Sequence, residues 1–359
     1  MDVFRGFTMA AMVLVENPGT WPIYRQLQHA KWGEPITFKD WVFPFFLFIM
    51  GVSITLSLTR RMKAGLSRSK LFQKIFTRTL LLFSLGLLLH LFYFAFFGRF
   101  RIPGILQRIA IVYFVCAVLF LLTSWRTQVG IIVAILLGYW ILMTVVPVPG
   151  IGPANINPET NLAAWLDQTL LGRFLRNPKS DPQGILSTLP AICIGLIGLL
   201  AGQWLQKDTY PERKALGFAS GGIGLVLIGW GWGLSFPILR DVWSSSYVLY
   251  TSGFTLLAWS LCYWLVDVHG FKRWGKPFAA YGASCIFVFF ASHIVGAMLY
   301  LIRIPAEAKP ISLQRVIVDN LFLSWLSPQN ASALFSLCVV LAWLIPLWIM
   351  YNKRIYIKI

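Results

Sequence analysis

The sequence predicts an all-α protein, a polytopic bundle of about 10–11 helices crossing a membrane with both termini cytoplasmic. Three observations carry this. Hydrophobic residues fill 57% of the 359 positions and charged residues only 12%, about half the charged share of a soluble domain. The apolar residues gather into segments of about 20, the length a helix needs to cross a hydrocarbon core of about 30 Å. Aromatic residues reach 16%, with 16 Trp, at a mean hydropathy of +0.70, a composition that suits rings seated at membrane interfaces. A soluble enzyme, a disordered chain and a disulfide-stapled secreted fold are excluded, because even a large soluble domain leaves about a quarter of its surface in water.

The segments fall at 3–18, 41–59, 79–98, 105–123, 129–146, 184–204, 215–235, 246–266, 278–302 and 331–351. The first is the shortest. It has no basic leader and no small-residue cleavage site, so it reads as a span and not as a signal peptide. The stretch 311–326, ISLQRVIVDNLFLSWL, is amphipathic and either lies along the membrane surface or begins an eleventh span. No repeat of fixed period and no inverted pair of half-chains is evident, which disfavours a repeat-built transporter. The whole of 1–359 reads as a single transmembrane domain.

Orientation follows from the basic residues. The loops 60–78, 124–128, 205–214, 267–276 and the tail 352–359 together hold 17 Lys and Arg, and the alternate loops hold 12. Asp208, Glu212 and Asp267 are the acidic residues of the first set, leaving it at net +14. That set is cytoplasmic by the positive-inside rule. Loop 17–40, the long loop 147–183 and the amphipathic segment 303–330 then face outward. The overall charge of +18 is thereby absorbed by loops and by sites for anionic ligands, with no motif for nucleic acid. The five cysteines, Cys116, Cys193, Cys262, Cys285 and Cys338, lie in apolar runs without a CxxC pair. They imply neither disulfides nor a metal.

Ionisable residues in or beside spans are costly and so mark candidate sites. The first 45 residues are the richest, with Asp2, Arg5, Glu16, His29 and Asp40. His29 titrates near neutrality and suits proton transfer. Asp40 is a carboxylate able to fix its tautomer and orientation. The alternative for His29 is a loop histidine in water. Arg101 and Arg108 are seven residues apart in RIPGILQR, about two helical turns. They either line a donor or acceptor passage, or snorkel and pair with Asp2 or Asp181. His90 and His293 sit within spans, either as interhelical hydrogen-bonding residues or as parts of a proton path, and His269 lies in a basic loop.

The blocks DVFRGFTMAAMVLVENPGTW, HAKW, DWVFPFFLFIMGVSI, RIPGILQRIAIVYF, DPQGILSTLPAICIGLIGLLAGQWL, VWSSSYVLYTSGF and VDVHGFKRWGKPF follow one another over nearly the whole chain. In that order they resemble the heparan-alpha-glucosaminide N-acetyltransferase family of transmembrane acyltransferases. The resemblance implies transfer of an acetyl group from cytoplasmic acetyl-CoA to an amino sugar or glycan on the outer side, with no metal. It makes His29 the catalytic histidine, as general base or as acetyl carrier, with Asn17 as a polar assistant. The family shows Asn-Asn where this chain has Glu16-Asn17, so Glu16 either occupies the assisting position or meets the acceptor. Asp2, Asp181, Trp243 and Tyr247 are further acceptor-side candidates. Arg101 and Arg108, with Lys272, Arg273, Lys276, Lys353 and Arg354, are candidates for the donor's phosphates and passage. A multi-pass protein of the bacterial inner membrane, in contact with lipid and capable of forming a homodimer, completes that expectation. Two rivals are a transporter or flippase of sugar-linked lipids and an O-acyltransferase acting on a glycan hydroxyl.

Overall fold

The computed structural model describes residues 1–98, 100–177, 179–305 and 310–355. Residues 306–309 of the amphipathic segment and 356–359 of the basic tail lie outside the described residues. The rest is a helical protein, as the composition requires. Its helices are α1 (Asp2–Glu16), α2 (Phe38–Lys63), α3 (Arg68–Phe97), α4 (Ile105–Leu122), α5 (Trp125–Thr144), α6 (Leu162–Leu171) and α7 (Thr188–Leu205). They continue with α8 (Pro211–Trp232), α9 (Ser245–Tyr263), α10 (Lys276–Ala283), α11 (Cys285–Leu301), α12 (Leu313–Leu321) and α13 (Pro328–Asn352). A π-helical turn, Trp264–Val268, extends α9. Side chains of Ser67, Ser124, Asn161 and Ser244 cap the first turns of α3, α5, α6 and α9, satisfying amides that the helices cannot pair internally.

All ten apolar segments fall on helices. Among the described residues, eight helices have the length and composition to cross a membrane: α2, α3, α4, α5, α7, α8, α9 with its π turn, and α13. The ninth segment is a bent pair, α10 and α11, meeting at 82°. The first segment, α1, has 15 residues, about 22 Å at 1.5 Å per residue, and is too short to span the hydrocarbon by itself. The stretch 311–326 is not an eleventh span. It forms a two-residue strand, Ile311–Ser312 (β2), antiparallel to Arg303–Ile304 (β1), and then the nine-residue α12. The apolar face of α12 is spent on protein: Val318 packs with Ala331 and Phe335 of α13.

The chain forms two compact units, Met1–Ala30 with Thr37–Phe43 and Gly270–Ile359, and Lys31–Ile36 with Pro44–His269. In the first, α1 crosses α10 so closely that a Cβ on Gly6 would lie 1.6 Å from Phe278 O, and one on Gly282 would lie 2.2 Å from Asp2 O. In the second, α2 meets α7 through Gly51 and Gly198. A Cβ on Gly51 would sit 2.1 Å from Gly195 O, and one on Gly198 would sit 2.1 Å from Phe48 O. Small residues are what allow backbones in a membrane to approach, since lipid offers no hydrophobic drive between helices. Thr55 strengthens the same crossing by donating to Leu199 O at 3.1 Å.

This packing separates two kinds of glycine. Gly51→Ala or Gly198→Ala is expected to lower the melting temperature in detergent by several degrees, because the new methyl collides with backbone that cannot yield. Gly221→Ala on α8, where nothing lies within 4 Å, is expected to hold or raise it, since helix propensity favours Ala by up to about 1 kcal/mol. Equal melting temperatures for all three variants would show that the α2–α7 crossing is not this tight.

Candidate active site and its buried polar neighbours

In the first unit, the loop between α1 and α2 brings His29 to Asp40. His29 Nδ1 lies 2.8 Å from Asp40 Oδ1. The carboxylate is enclosed, at 0% side-chain exposure against 32% for the imidazole. A buried charge needs hydrogen bonds, and Asp40 has them: Oδ2 accepts from Ala30 N and Thr37 N, each at 3.0 Å. The Thr37 hydroxyl lies 3.0 Å from the same oxygen and 2.6 Å from Gln28 O. Thr37 precedes α2 and Asp40 is its third residue, so Asp40 also closes a capping box on the helix. An ionised carboxylate can only accept, so Nδ1 must carry the proton and the lone pair of a neutral His29 falls on Nε2. The arrangement therefore presents a base.

The loop that carries His29 is anchored. Gln314 Nε2 donates to Pro18 O at 2.7 Å and Gly19 O at 3.0 Å. Gly19 rests on α13, where an added Cβ would come within 2.8 Å of Ser332 Cα. Tyr24 OH bonds Asn330. Asn17 ends α1, donating from Nδ2 to Val13 O at 2.9 Å, with its Oδ1 against Gly296 of α11. Glu16 lies 3.5 Å from Lys39 Nζ. Asp2 is elsewhere: it pairs with Arg5 at 2.8 Å, and the length of α1 places it about 21 Å from Glu16. Among the histidines of spans, His293 Nδ1 donates to Phe289 O at 2.8 Å.

Three of the basic candidates of this unit lie at the other end of α1. Lys272, Arg273 and Lys276 are exposed, and Gly275 between them abuts Val3. Lys353 and Arg354 are exposed beyond the end of α13. Thus α1 separates a cationic cluster near its first turn from the His29–Asp40 pair beyond its last.

In the second unit, Arg101 and Arg108 belong to one buried polar cluster. Arg101 Nη2 and Nε meet Asp181 Oδ1 and Oδ2 at 2.5 and 3.0 Å, and Nη2 also meets Gln183 Oε1 at 2.5 Å. Asp181 accepts in addition from Arg176 N and Gln183 N, each at 2.9 Å. The bidentate pair commits the Arg101 guanidinium to protein. Arg108, 2% exposed, donates from Nη2 to Ser187 Oγ at 2.5 Å and Gly184 O at 3.1 Å. Its guanidinium stacks 4.8 Å over the Trp243 ring, a cation–π contact. Trp243 has a left-handed φ of 53°, a strained conformation for this residue type, in the turn that leads into α9. Tyr247 meets Trp243 edge-on, with ring centroids 5.6 Å apart. Trp243 and Tyr247 are 2% and 1% exposed, and of the two the Trp243 ring is the one that meets Arg108. His90 closes the neighbourhood of Arg101, with Nδ1 2.6 Å from Arg101 O.

Thr37, Lys39, Asp167, Gln183 and Ser187 were not signalled by the charged-residue reading. One signal was available, the Thr37-x-x-Asp40 spacing of a capping box; the others depend on tertiary neighbours. Asp167 accepts from Ile185 N at 2.8 Å. Burial pushes its carboxyl up to about 6; Asp181 adds to the rise, and the Ile185 N–H and Arg108 oppose it. A raised carboxyl means that the folded protein binds the proton more tightly than the unfolded chain between about pH 4 and 6, so stability falls as pH rises through that window. Asp167→Asn removes this slope. The melting temperature of the variant minus that of wild type is expected to grow between about pH 4.5 and pH 7.5; a difference independent of pH would contradict a buried titrating Asp167.

Comparison with known proteins agrees with the order of these blocks. Residues 1–234 match the family described as heparan-alpha-glucosaminide N-acetyltransferase, catalytic. The human heparan-alpha-glucosaminide N-acetyltransferase is 30% identical over 100% of this chain and 59% of its own length. The mouse protein of the same name is 31% identical over 82% of this chain and 53% of its own length. The chain thus spans little more than half of the curated relatives it matches. Both the family match over 1–234 and the alignment over the full chain lead to one conclusion: this integral membrane protein belongs to the heparan-alpha-glucosaminide N-acetyltransferase catalytic family.

Proposed function

We propose that the protein is a membrane acetyltransferase that moves an acetyl group from acetyl-CoA to the amine of a glucosamine-type acceptor. The observation that carries this reading is the 2.8 Å contact between His29 Nδ1 and an enclosed Asp40, which directs the imidazole's basic nitrogen away from the carboxylate. The names of the human and mouse relatives supply the reaction class and the acceptor class.

His29 is the general base and Asp40 its positioning residue. As the acceptor nitrogen attacks the thioester carbonyl, Nε2 takes a proton from it. The C–N bond forms, the C–S bond breaks, and the proton passes from the imidazolium to the departing thiolate, giving free CoA. Asp40 stabilises the imidazolium without accepting its proton. Asn17, at the end of α1, spends one Nδ2–H on Val13 O; its second amide N–H is the one we assign to the thioester oxygen as charge develops there. Lys272, Arg273, Lys276, Lys353 and Arg354 attract the donor's phosphates. With Lys272, Arg273 and Lys276 beyond the first turn of α1 and His29 beyond its last, we take the donor's phosphates and its thioester to lie at opposite ends of that helix. The positive-inside count makes the donor face cytoplasmic. Arg101, committed to Asp181, and Arg108, packed under Trp243, hold the 181–187 turn and the start of α9 in place.

Detergent-purified protein is expected to release CoA from acetyl-CoA when glucosamine is supplied. His29→Ala is expected to abolish this above background. Asp40→Asn is expected to keep the fold but lose about 10²–10⁴-fold in kcat, because an amide N–H turned toward Nδ1 forces the proton onto Nε2. Turnover undiminished in His29→Ala, or acetyl-CoA that fails to bind the wild-type protein, would overturn the assignment and favour transport.

A further inference from the structure

A second charged pair shares the turn of α2 that holds Asp40. Lys39 Nζ donates to Val15 O at 2.7 Å and lies 3.5 Å from Glu16 Oε1. Lys39 and Asp40 are consecutive, so the backbone that fixes the positioning residue of His29 also fixes Lys39. Glu16 and Lys39 are mostly enclosed, at 27% and 13% side-chain exposure.

A glutamate is an unfavourable choice at this place. Glu16 is the last residue of α1, and the last turn contains no basic residue. A carboxylate there faces the negative end of the helix dipole. Lys39 offsets that cost by meeting both the Val15 carbonyl and the carboxylate. At 3.5 Å, the Lys39 ammonium is beyond the usual length of a hydrogen bond and acts on the carboxylate through charge. A locally costly residue, compensated by a neighbour and set on the same turn as a candidate catalytic pair, is the pattern expected where function has overruled local preference.

We infer that Glu16 selects the acceptor: its carboxylate receives the ammonium group of an amino sugar, a primary amine carrying positive charge, and Lys39 limits how firmly that charge is held. The inference rests on the acyl-transfer reading above and gives the acceptor site its chemistry. An amino sugar arrives as an ammonium ion, but only the neutral amine attacks a thioester. An isolated carboxylate would attract the cation and also stabilise its proton. The carboxylate supplies the attraction and Lys39 beside it weakens the hold on the proton, so the ammonium is recognised without being locked in its charged form. A neutral sugar hydroxyl can donate to the carboxylate but lacks the attraction between opposite charges.

The test is steady-state kinetics with glucosamine and acetyl-CoA on wild type, Glu16→Gln and Lys39→Met. Glu16→Gln preserves size and removes charge. It is expected to raise KM for glucosamine about tenfold or more while leaving KM for acetyl-CoA within about twofold. Lys39→Met is expected to act in the opposite sense, lowering KM for glucosamine and lowering kcat. A purely structural role would move both substrates' KM values together. An unchanged glucosamine KM in Glu16→Gln, or an equal rise for both substrates, overturns the inference. Because Lys39 also holds the end of α1, each variant's melting temperature is measured; should Lys39→Met not fold, Glu16→Gln decides alone. If wild type acetylates no amino sugar, the acyl-transfer reading itself fails; if wild type does and Glu16→Gln matches it, this inference alone fails.

Discussion

A carboxylate closed off from water must be satisfied by its own chain, and Asp40 is where that requirement shapes the His29 end of the protein. One oxygen holds the imidazole at 2.8 Å; the other gathers Ala30 N and Thr37 N at 3.0 Å each. The same group therefore caps α2, folds the end of the preceding loop and assigns the tautomer of His29. These are not separable tasks. An amide of the same shape has a donor where a second acceptor is needed, so satisfying the loop and satisfying the imidazole would conflict.

The second unit answers the same constraint differently. Asp181 spends both oxygens on Arg101 and two backbone amides, and Arg108 is placed between Ser187, Gly184 and the Trp243 ring. Taking one partner from such a cluster leaves an uncompensated buried charge, which is far more damaging than replacing the pair. The strained backbone of Trp243 is the local cost of holding an aromatic ring against Arg108. Around this cluster the helices meet through glycine, so the bundle is closed by backbone contact where side chains would keep the helices apart.

The α1 helix connects these considerations to chemistry. Its length separates the exposed cations beside Val3 from the His29–Asp40 pair, and its last residue is the charged Glu16. A fifteen-residue helix is poor as a span and well suited as a spacer.

Composition and apolar run length determined the helical membrane class, since neither leaves a soluble alternative, and all ten apolar segments became helices. The order of motif blocks determined the family, and the proximity of a histidine and an aspartate eleven residues apart was legible because one short loop separates His29 from the first turn of α2. The tertiary structure decided the rest. The shortness of α1 and the 82° break between α10 and α11 do not register in mean hydropathy, which counts apolar residues and not helix continuity. The commitment of Arg101 to Asp181 spans 80 positions, a separation that no periodicity reports. Burial of Trp243 and Tyr247 likewise depends on which helices surround them. Charge and hydropathy are properties of residues and could be read directly; pairing is a property of neighbours, and only the fold supplied it.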